Sequence, residues 1–153
     1  MRTLLNGEVV IDEWLADGGQ GDVYRVSYNG TQKALKWYKQ SGMGGEPGEF
    51  YKNLKNNVMT GPPSPEFLWP LDLIEPQQEG GVFGDVMDFK PQGYYEVSDF
   101  MLRRAVFASY RTAADAAMQI VSAFRLLHNK GYSYQDLNDG NFFINPLDGK
   151  VLI

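Results

Sequence analysis

At residues 15–24 the chain reads LADGGQGDVY, a glycine-rich turn between two segments that favour β structure. Gly18 and Gly21 carry no Cβ atom, so backbone N–H groups beside them can approach an anion closely. In the strand expected downstream, Ala34 and Lys36 point to one face because side chains alternate along a strand. The pattern predicts a phosphate-binding hairpin with an ammonium beside it. Taken alone, a glycine-rich hairpin tip or a solvated strand lysine is common in proteins.

The first half of the chain is predicted to form a sheet of five strands with one helix. Within residues 8–38, the Asn29-Gly30 pair indicates a type I′ hairpin turn, because both central positions of that turn need φ > 0. Apolar residues at four-residue spacing predict a helix over 49–59. Two further strands are expected at 67–74 and 81–89.

The second half is predicted to be mainly helical. Ser98 is expected to cap a helix that reaches Phe107. The clearest helical periodicity runs from Thr112 to Lys130, and Gly131 follows where a C-terminal glycine cap belongs. Two short apolar runs complete the chain, at 142–144 and 151–153.

A polar loop follows the long helix and reads YQDLNDGN over residues 134–141. A carboxylate at Asp136 and an amide at Asn141 can point into one site from such a loop. Asp136 could then accept the proton of a hydroxyl group, and the amide oxygen of Asn141 could coordinate Mg²⁺. A simple surface turn explains the same composition.

Taken in order, these segments resemble the eukaryotic-type protein kinases across nearly the whole chain. Residues 16–23 are similar to the glycine-rich loop of that family, with Ala16 at the first glycine position. Ala34-Leu35-Lys36 is similar to the end of the Val-Ala-Ile-Lys strand, and Val86-Met87-Asp88-Phe89 to the strand that enters the hinge. The loop at 134–141 is similar to the catalytic loop, in the form found in a bacterial subgroup often linked to other modules.

The resemblance implies an α+β, protein-kinase-like fold and the cofactors ATP and Mg²⁺. It implies an antiparallel five-stranded N-lobe with one helix over 1–87 and a hinge and connector over 88–97. A partial C-lobe over 98–153 would hold the first helices and the catalytic loop. Lys150 to Ile153 would immediately precede the Asp-Phe-Gly segment that binds Mg²⁺, so we expect a truncated domain that is a poor enzyme as it stands.

The resemblance also assigns roles to individual residues. Lys36 would hold the α- and β-phosphates, Asp136 would be the catalytic base, and Asn141 the metal ligand. The residues implied in nucleotide binding are Ala16, Gly18, Gly21, Val23, Ala34, Met87 (as gatekeeper), Asp88, Phe89 and Phe143. Glu49 is expected to pair with Lys36, with Glu46 as the alternative.

Three residues depart from the kinase pattern in the catalytic loop. Tyr134 and Gln135 replace the usual His and Arg, so control through a phosphorylated activation loop is not expected. Asn138 replaces the catalytic lysine of Ser/Thr kinases. The single histidine, His128, lies on the apolar side of the predicted helix and is interpreted as a packing residue.

These observations leave three functional hypotheses open. The first is the ATP-binding part of a protein Ser/Thr-kinase-like phosphotransferase, whose intact form would act on a protein substrate. The second is a pseudokinase-type nucleotide-binding or signalling module, and the third is a small-molecule kinase.

Composition limits the partners. The net charge is −5 and no run of Lys and Arg is present, so neither nucleic acid nor a membrane surface is expected. The chain has no cysteine, begins with no signal peptide and is expected to be cytoplasmic. We expect self-association through the helix at 112–130, with Ile120, Val121, Phe124 and Leu127 exposed.

Overall fold

A computed structural model of the chain describes residues 1–39, 47–76 and 81–153. Two compact units make up the chain: the first is Met1–Gly61 with Trp69–Phe89, and the second is Pro62–Leu68 with Lys90–Ile153. The elements in chain order are β1 (Val9–Asp17), β2 (Gly21–Tyr28), β3 (Thr31–Tyr38), α1 (Pro47–Thr60), β4 (Asp72–Ile74), β5 (Gly84–Met87), β6 (Tyr95–Glu96), α2 (Val97–Met101), α3 (Tyr110–Asn129), a 3-10 turn (Asp139–Asn141), β7 (Phe143–Ile144) and β8 (Val151–Leu152).

The first unit contains the predicted five-stranded sheet, in the order β1-β2-β3-β5-β4, and every neighbouring pair is antiparallel. The turn between β2 and β3 has φ values of 49° at Asn29 and 79° at Gly30, as the hairpin prediction required. This turn fixes the register in which β3 presents its side chains.

Each face of the sheet has its own apolar cluster. On one face Leu35 and Val86 pack with Val9, Val26 and Ile74. Side chains of the opposite parity on β3 belong to the other face, where α1 lies. The α1 side chains that pack there against Tyr38 and Phe83 are Phe50, Tyr51 and Leu54.

The fourth and fifth strands are shorter than predicted, at Asp72–Ile74 and Gly84–Met87. The apolar residues before β4 serve the second unit instead. Leu68 N–H donates to the Ile153 carbonyl at 2.8 Å, and Ile153 N–H donates to the Glu66 carbonyl at 2.8 Å. Because of this long-range backbone pairing, residues 62–68 belong to the second unit, whereas the sequence placed them in the first.

Helix α3 is the main element of the second unit, at Tyr110–Asn129. It begins at Ser109, whose hydroxyl accepts a hydrogen bond from Thr112 N–H at 3.1 Å. It ends at the predicted glycine cap: Gly131 has φ of 81° and donates its N–H to the His128 carbonyl at 2.9 Å.

The helix predicted over 98–107 is wrong in both its cap and its length. Observed α2 covers only Val97–Met101 and its N-cap is Glu96, whose N–H donates to the Asp99 carboxylate at 3.2 Å. The helix stops because Arg103 adopts φ of 56°, a conformation that usually selects glycine. Nothing in the sequence marks Arg103 for that role.

The face of α3 that was expected to lie open is partly covered from within the second unit. Ring centroids of Tyr134, Phe142 and Phe67 lie 5.5, 6.0 and 6.2 Å from that of Phe124. Leu127 is only 3% exposed. The prediction that Phe124 and Leu127 form an open face is therefore wrong.

Other apolar side chains of α3 are exposed instead. Met118 and Val121 are each 64% exposed, while Ile120 is half-buried. Across residues 1–39, 47–76 and 81–153, no helix combines the length and the apolar character that a bilayer crossing needs.

Candidate active site

The glycine turn is closed by its own backbone. Gly18 N–H donates to the Gly21 carbonyl at 2.9 Å, and Gly21 N–H donates to the Gly18 carbonyl at 3.2 Å. These two amides are thus engaged with each other and do not serve as the free anion donors that the sequence suggested. At the tip, the N–H groups of Gly19 and Gln20 find no hydrogen-bond partner among the described residues.

Gly19 and Gly21 of this turn differ in whether the structure requires a glycine. A Cβ atom at Gly21 would lie 2.2 Å from the backbone oxygen of Trp37 on β3, which no side chain tolerates. At Gly19 an added Cβ meets nothing within 4 Å. Gly21 is therefore required by strand packing, a reason that the sequence pattern did not reveal.

Strand register brings several predicted residues onto one face of the sheet. Ala16 lies opposite Val23, Val23 opposite Lys36, and Lys36 opposite Asp85. Residues directly opposite in an antiparallel pair project to the same face, so these four form one row across the strands. The next row on that face pairs Ala34 with Met87.

Lys36 has different contacts from those predicted. Its ammonium donates to the Gln20 side-chain oxygen at 2.7 Å and lies 5.1 Å from the Tyr38 ring centroid. Glu49 pairs instead with Lys52 on its own helix, at 2.7 Å. The structure thus shows other contacts for both Lys36 and Glu49, and the alternative, Glu46, lies outside the described residues.

The lysine directly after β3 also holds the glycine turn. Lys39 pairs with the Asp17 carboxylate and lies 3.3 Å from that of Asp22, so it joins both ends of the turn. The hydrogen bond to Asp17 is the main reason that the pKa of Lys39 is raised. The tip of the turn is thus tied to β3 by Lys36, and its base is tied by Lys39 to the end of that strand.

The predicted hinge residues follow β5. Met87 is half-buried at the strand end, Asp88 is exposed and Phe89 is half-buried. The Asp88 carboxylate pairs with the Lys33 ammonium on β3. This ion pair links the start of the hinge segment to the sheet.

Asp85, a deeply buried residue opposite Lys36, was not predicted from the sequence. It is 1% exposed, and burial raises the pKa of its carboxyl to about 6, against the opposing effects of Tyr38 and Lys36. The sequence did carry a signal, because Asp85 is an acidic residue inside the apolar run from Val82 to Met87. A buried carboxylate is costly without a partner, so an acid in such a run suggests a specific role.

The predicted catalytic loop gathers its polar side chains around one carboxylate. Asn138 donates its amide N–H to Asp136 Oδ1 at 3.0 Å, and Asn141 donates to Asp136 Oδ2 at 2.9 Å. Both also donate to the Asp136 backbone oxygen, at 3.2 and 2.8 Å. Two amides therefore fix the orientation of the Asp136 carboxylate.

An aromatic cluster lies beneath this loop. Tyr134 packs on Phe124, and burial followed by the charge of Asp136 raises the pKa of its hydroxyl. The His128 ring centroid lies 6.0 Å from that of Phe124, so His128 packs on this cluster although its side chain is exposed. Tyr134 thus anchors the start of the loop on the aromatic cluster.

Phe143, the expected apolar platform for adenine, lies on β7 opposite Glu96 and Leu152. Its ring faces the Lys90 ammonium, which lies 4.9 Å from the ring centroid. In this cation–π contact Lys90 occupies one face of the Phe143 ring.

The chemistry of the catalytic loop fits Mg²⁺ better than a transition metal. Within the described parts of the chain no group of three or more His, Cys, Asp or Glu side chains is placed to hold a metal. Oxygen donors are nevertheless present: the Asp136 carboxylate and the amide oxygen of Asn141, which its two hydrogen bonds leave unused. Mg²⁺ prefers oxygen ligands and commonly takes only one or two from the protein.

Comparison with solved structures identifies the fold. The chain is similar to crystal structures of the PknI kinase domain of Mycobacterium tuberculosis, with a TM-score of 0.67 and 19% identity over 100% of this chain and 58% of that one. Two mutant forms of that domain give TM-scores of 0.67 and 0.69 at 20% and 19% identity, covering 95% and 100% of this chain.

This chain spans 58% to 60% of the length of those kinase domains. No protein-family model matches it, and no curated protein matches it. At this level of identity the likeness concerns the fold: the chain has a mixed α and β, protein-kinase-like fold with an antiparallel five-stranded sheet.

Proposed function

We propose that this chain binds ATP and is the nucleotide-binding part of a protein Ser/Thr-kinase-like phosphotransferase. The observation that carries the proposal is the Asp136 carboxylate, held by the amides of Asn138 and Asn141 at 3.0 and 2.9 Å in a chain with a kinase-like fold. Such an arrangement orients a carboxylate toward a hydroxyl without neutralising it.

The first unit would bind the phosphates. Lys36 supplies the positive charge, and the free N–H groups of Gly19 and Gln20 at the tip of the turn supply donors. Gln20 now accepts from Lys36, so phosphate binding would replace a neutral amide with an anionic acceptor, which forms stronger hydrogen bonds. Val23, Ala34 and Met87 would provide the apolar surface for adenine.

The second unit would supply the base and the metal ligand. Asp136 would accept the proton of the acceptor hydroxyl, while Asn138 keeps the carboxylate in place. The amide oxygen of Asn141 would hold Mg²⁺, which when bound neutralises charge on the β- and γ-phosphates.

Nucleotide binding can be tested by titration calorimetry with ATP, in the presence and absence of Mg²⁺. We expect weak binding that depends little on Mg²⁺ and that Lys36→Ala reduces strongly. Lys55→Ala, which removes the same charge from α1, is the matched control and should leave the affinity unchanged. If no ATP binds under either condition, the proposal is wrong.

A second candidate is a nucleotide-binding module that does not transfer phosphate. Asn138 stands where Ser/Thr kinases place a lysine, so a neutral amide takes the place of a positive charge near the transferred phosphate, which favours this alternative. Transfer of radiolabelled γ-phosphate separates the two candidates. Label on a small molecule instead of a protein would indicate a small-molecule kinase.

A further inference from the structure

Two buried aspartates lie on neighbouring strands of the first unit, and only one is fully satisfied. Asp72 on β4 accepts from the hydroxyls of Thr3 and Tyr28 and from Leu5 N–H at 3.1 Å. Asp85 on β5 is equally buried, but its Oδ1 atom has no hydrogen-bond partner among the described residues. Leaving a charged acceptor buried and unpaired is costly, so a reason for its retention is needed.

The orientation of Asp85 supplies that reason. It lies directly opposite Lys36 in the pairing of β3 with β5, and the two side chains project to the same face. The electrostatic interaction between them opposes the effect of burial on the Asp85 carboxyl. A lysine ammonium has three donors, and Gln20 takes one of them at 2.7 Å, which leaves donors for a second acceptor.

The acid expected for this role is engaged elsewhere. Glu49 lies on α1, is exposed and pairs with Lys52 at 2.7 Å. An exposed ion pair within one helix contributes little to stability. This pair nevertheless directs the Glu49 carboxylate along the surface of α1. Asp85 is a strand residue, so its position relative to Lys36 is fixed by backbone hydrogen bonds and does not depend on the placement of a helix.

We propose that Asp85 is the positioning residue for Lys36, in place of a glutamate from α1. The inference rests on the proposed nucleotide-binding function, for which Lys36 is the phosphate-binding cation. Donation from the ammonium to the unpaired Oδ1 atom of Asp85 would restrict the flexible four-carbon stem of the lysine, whose ordering would otherwise oppose ligand binding.

A double-mutant cycle on ATP affinity tests the proposal. Asp85→Asn keeps the shape and removes the charge, and we expect it to weaken ATP binding about tenfold, while Glu49→Gln has no effect. Adding Asp85→Asn to Lys36→Met should cause no further loss, because the interaction is already absent. Additive losses, or a larger loss for Glu49→Gln than for Asp85→Asn, would overturn the proposal.

A second measurement needs neither nucleotide nor the Asp85 variant. In protein with ¹³C-labelled aspartate, the carboxyl shift of Asp85 is followed against pH. Lys36→Met should raise the pKa of Asp85, because an opposing cation is removed, whereas Glu49→Gln should leave it unchanged. Tyr38→Phe measures the separate contribution of the tyrosine hydroxyl.

These outcomes distinguish the positioning role of Asp85 from the proposed nucleotide binding. If the wild-type chain binds no ATP, the proposed function fails, but the titration still decides whether Lys36 faces Asp85. If ATP binds and the Asp85 pKa is the same with and without Lys36, the positioning role is wrong and the proposed function stands.

Discussion

Acidification should stabilise the first unit through Asp85. The folded chain holds this carboxyl at a pKa of about 6, against an ordinary value of 3.8, so folding takes up a proton between these limits. The stabilising contribution is fully present below the unfolded pKa and is lost as the pH rises through the folded pKa. Its full amplitude is about 3 kcal/mol, of which about 1.4 kcal/mol should be gained between about pH 7.5 and about pH 5.

Urea unfolding followed by tryptophan fluorescence measures this contribution. The chain has three tryptophans, Trp14, Trp37 and Trp69, and all of them belong to the first unit. Unfolding free energies of wild type and Asp85→Asn are compared at both pH values, so that contributions from other titrating groups cancel. The difference between the two proteins should change by about 1.4 kcal/mol across this range.

Equal pH dependence in wild type and Asp85→Asn would refute the reasoning. It would mean that Asp85 has the same proton affinity in the folded and unfolded chain, and therefore that burial does not outweigh the opposing effects of Tyr38 and Lys36. Glu49→Gln serves as the control, because Glu49 is exposed and its loss should leave the pH dependence unchanged.

Three further predictions address separate features. Gly21→Ala should lower the unfolding free energy by roughly 1–3 kcal/mol, because the new Cβ atom would collide with the β3 backbone. Gly19→Ala is the control and should not lower it, because its Cβ atom meets open space. Equal stability of the two variants would show that strand packing does not require Gly21. Asp136→Asn, in a form of the protein that transfers phosphate, should abolish transfer and leave ATP affinity nearly unchanged, since a base acts in the transition state; unaltered turnover would remove it from the mechanism. If α3 mediates self-association, the double variant Met118→Asp with Val121→Asp should be monomeric when its mass is measured by light scattering. A wild-type chain that is monomeric at high concentration would contradict the expected self-association.

Local signals predicted much of the fold. The Asn29-Gly30 turn and the Gly131 helix cap were both found where the sequence placed them, because each needs a backbone conformation that few residues adopt. Long-range pairing was not predictable in the same way. Phe67 and Leu68 were predicted to begin a strand that runs to Ile74, but Leu68 pairs with Ile153, and no local pattern encodes that choice.

In the candidate site, too, local patterns predicted some features, whereas others depend on long-range pairing. Register placed Val23 and Lys36 on one face of the sheet, as alternation along the strands implies. The partner of Lys36 was mistaken because the prediction carried over a pairing from a resemblance. The buried position of Asp85 depends on β5 lying between β3 and β4, and that order is decided by the whole sheet.

The pairing of residues 62–68 with Ile153 also sets an order of events during synthesis. Every residue of the first unit has been made once Phe89 emerges, so that unit can fold early. Phe67, only 7% exposed in the folded chain, must wait for residues made much later. At roughly 5–20 residues per second the delay lasts on the order of several seconds, during which this apolar segment is available to chaperones.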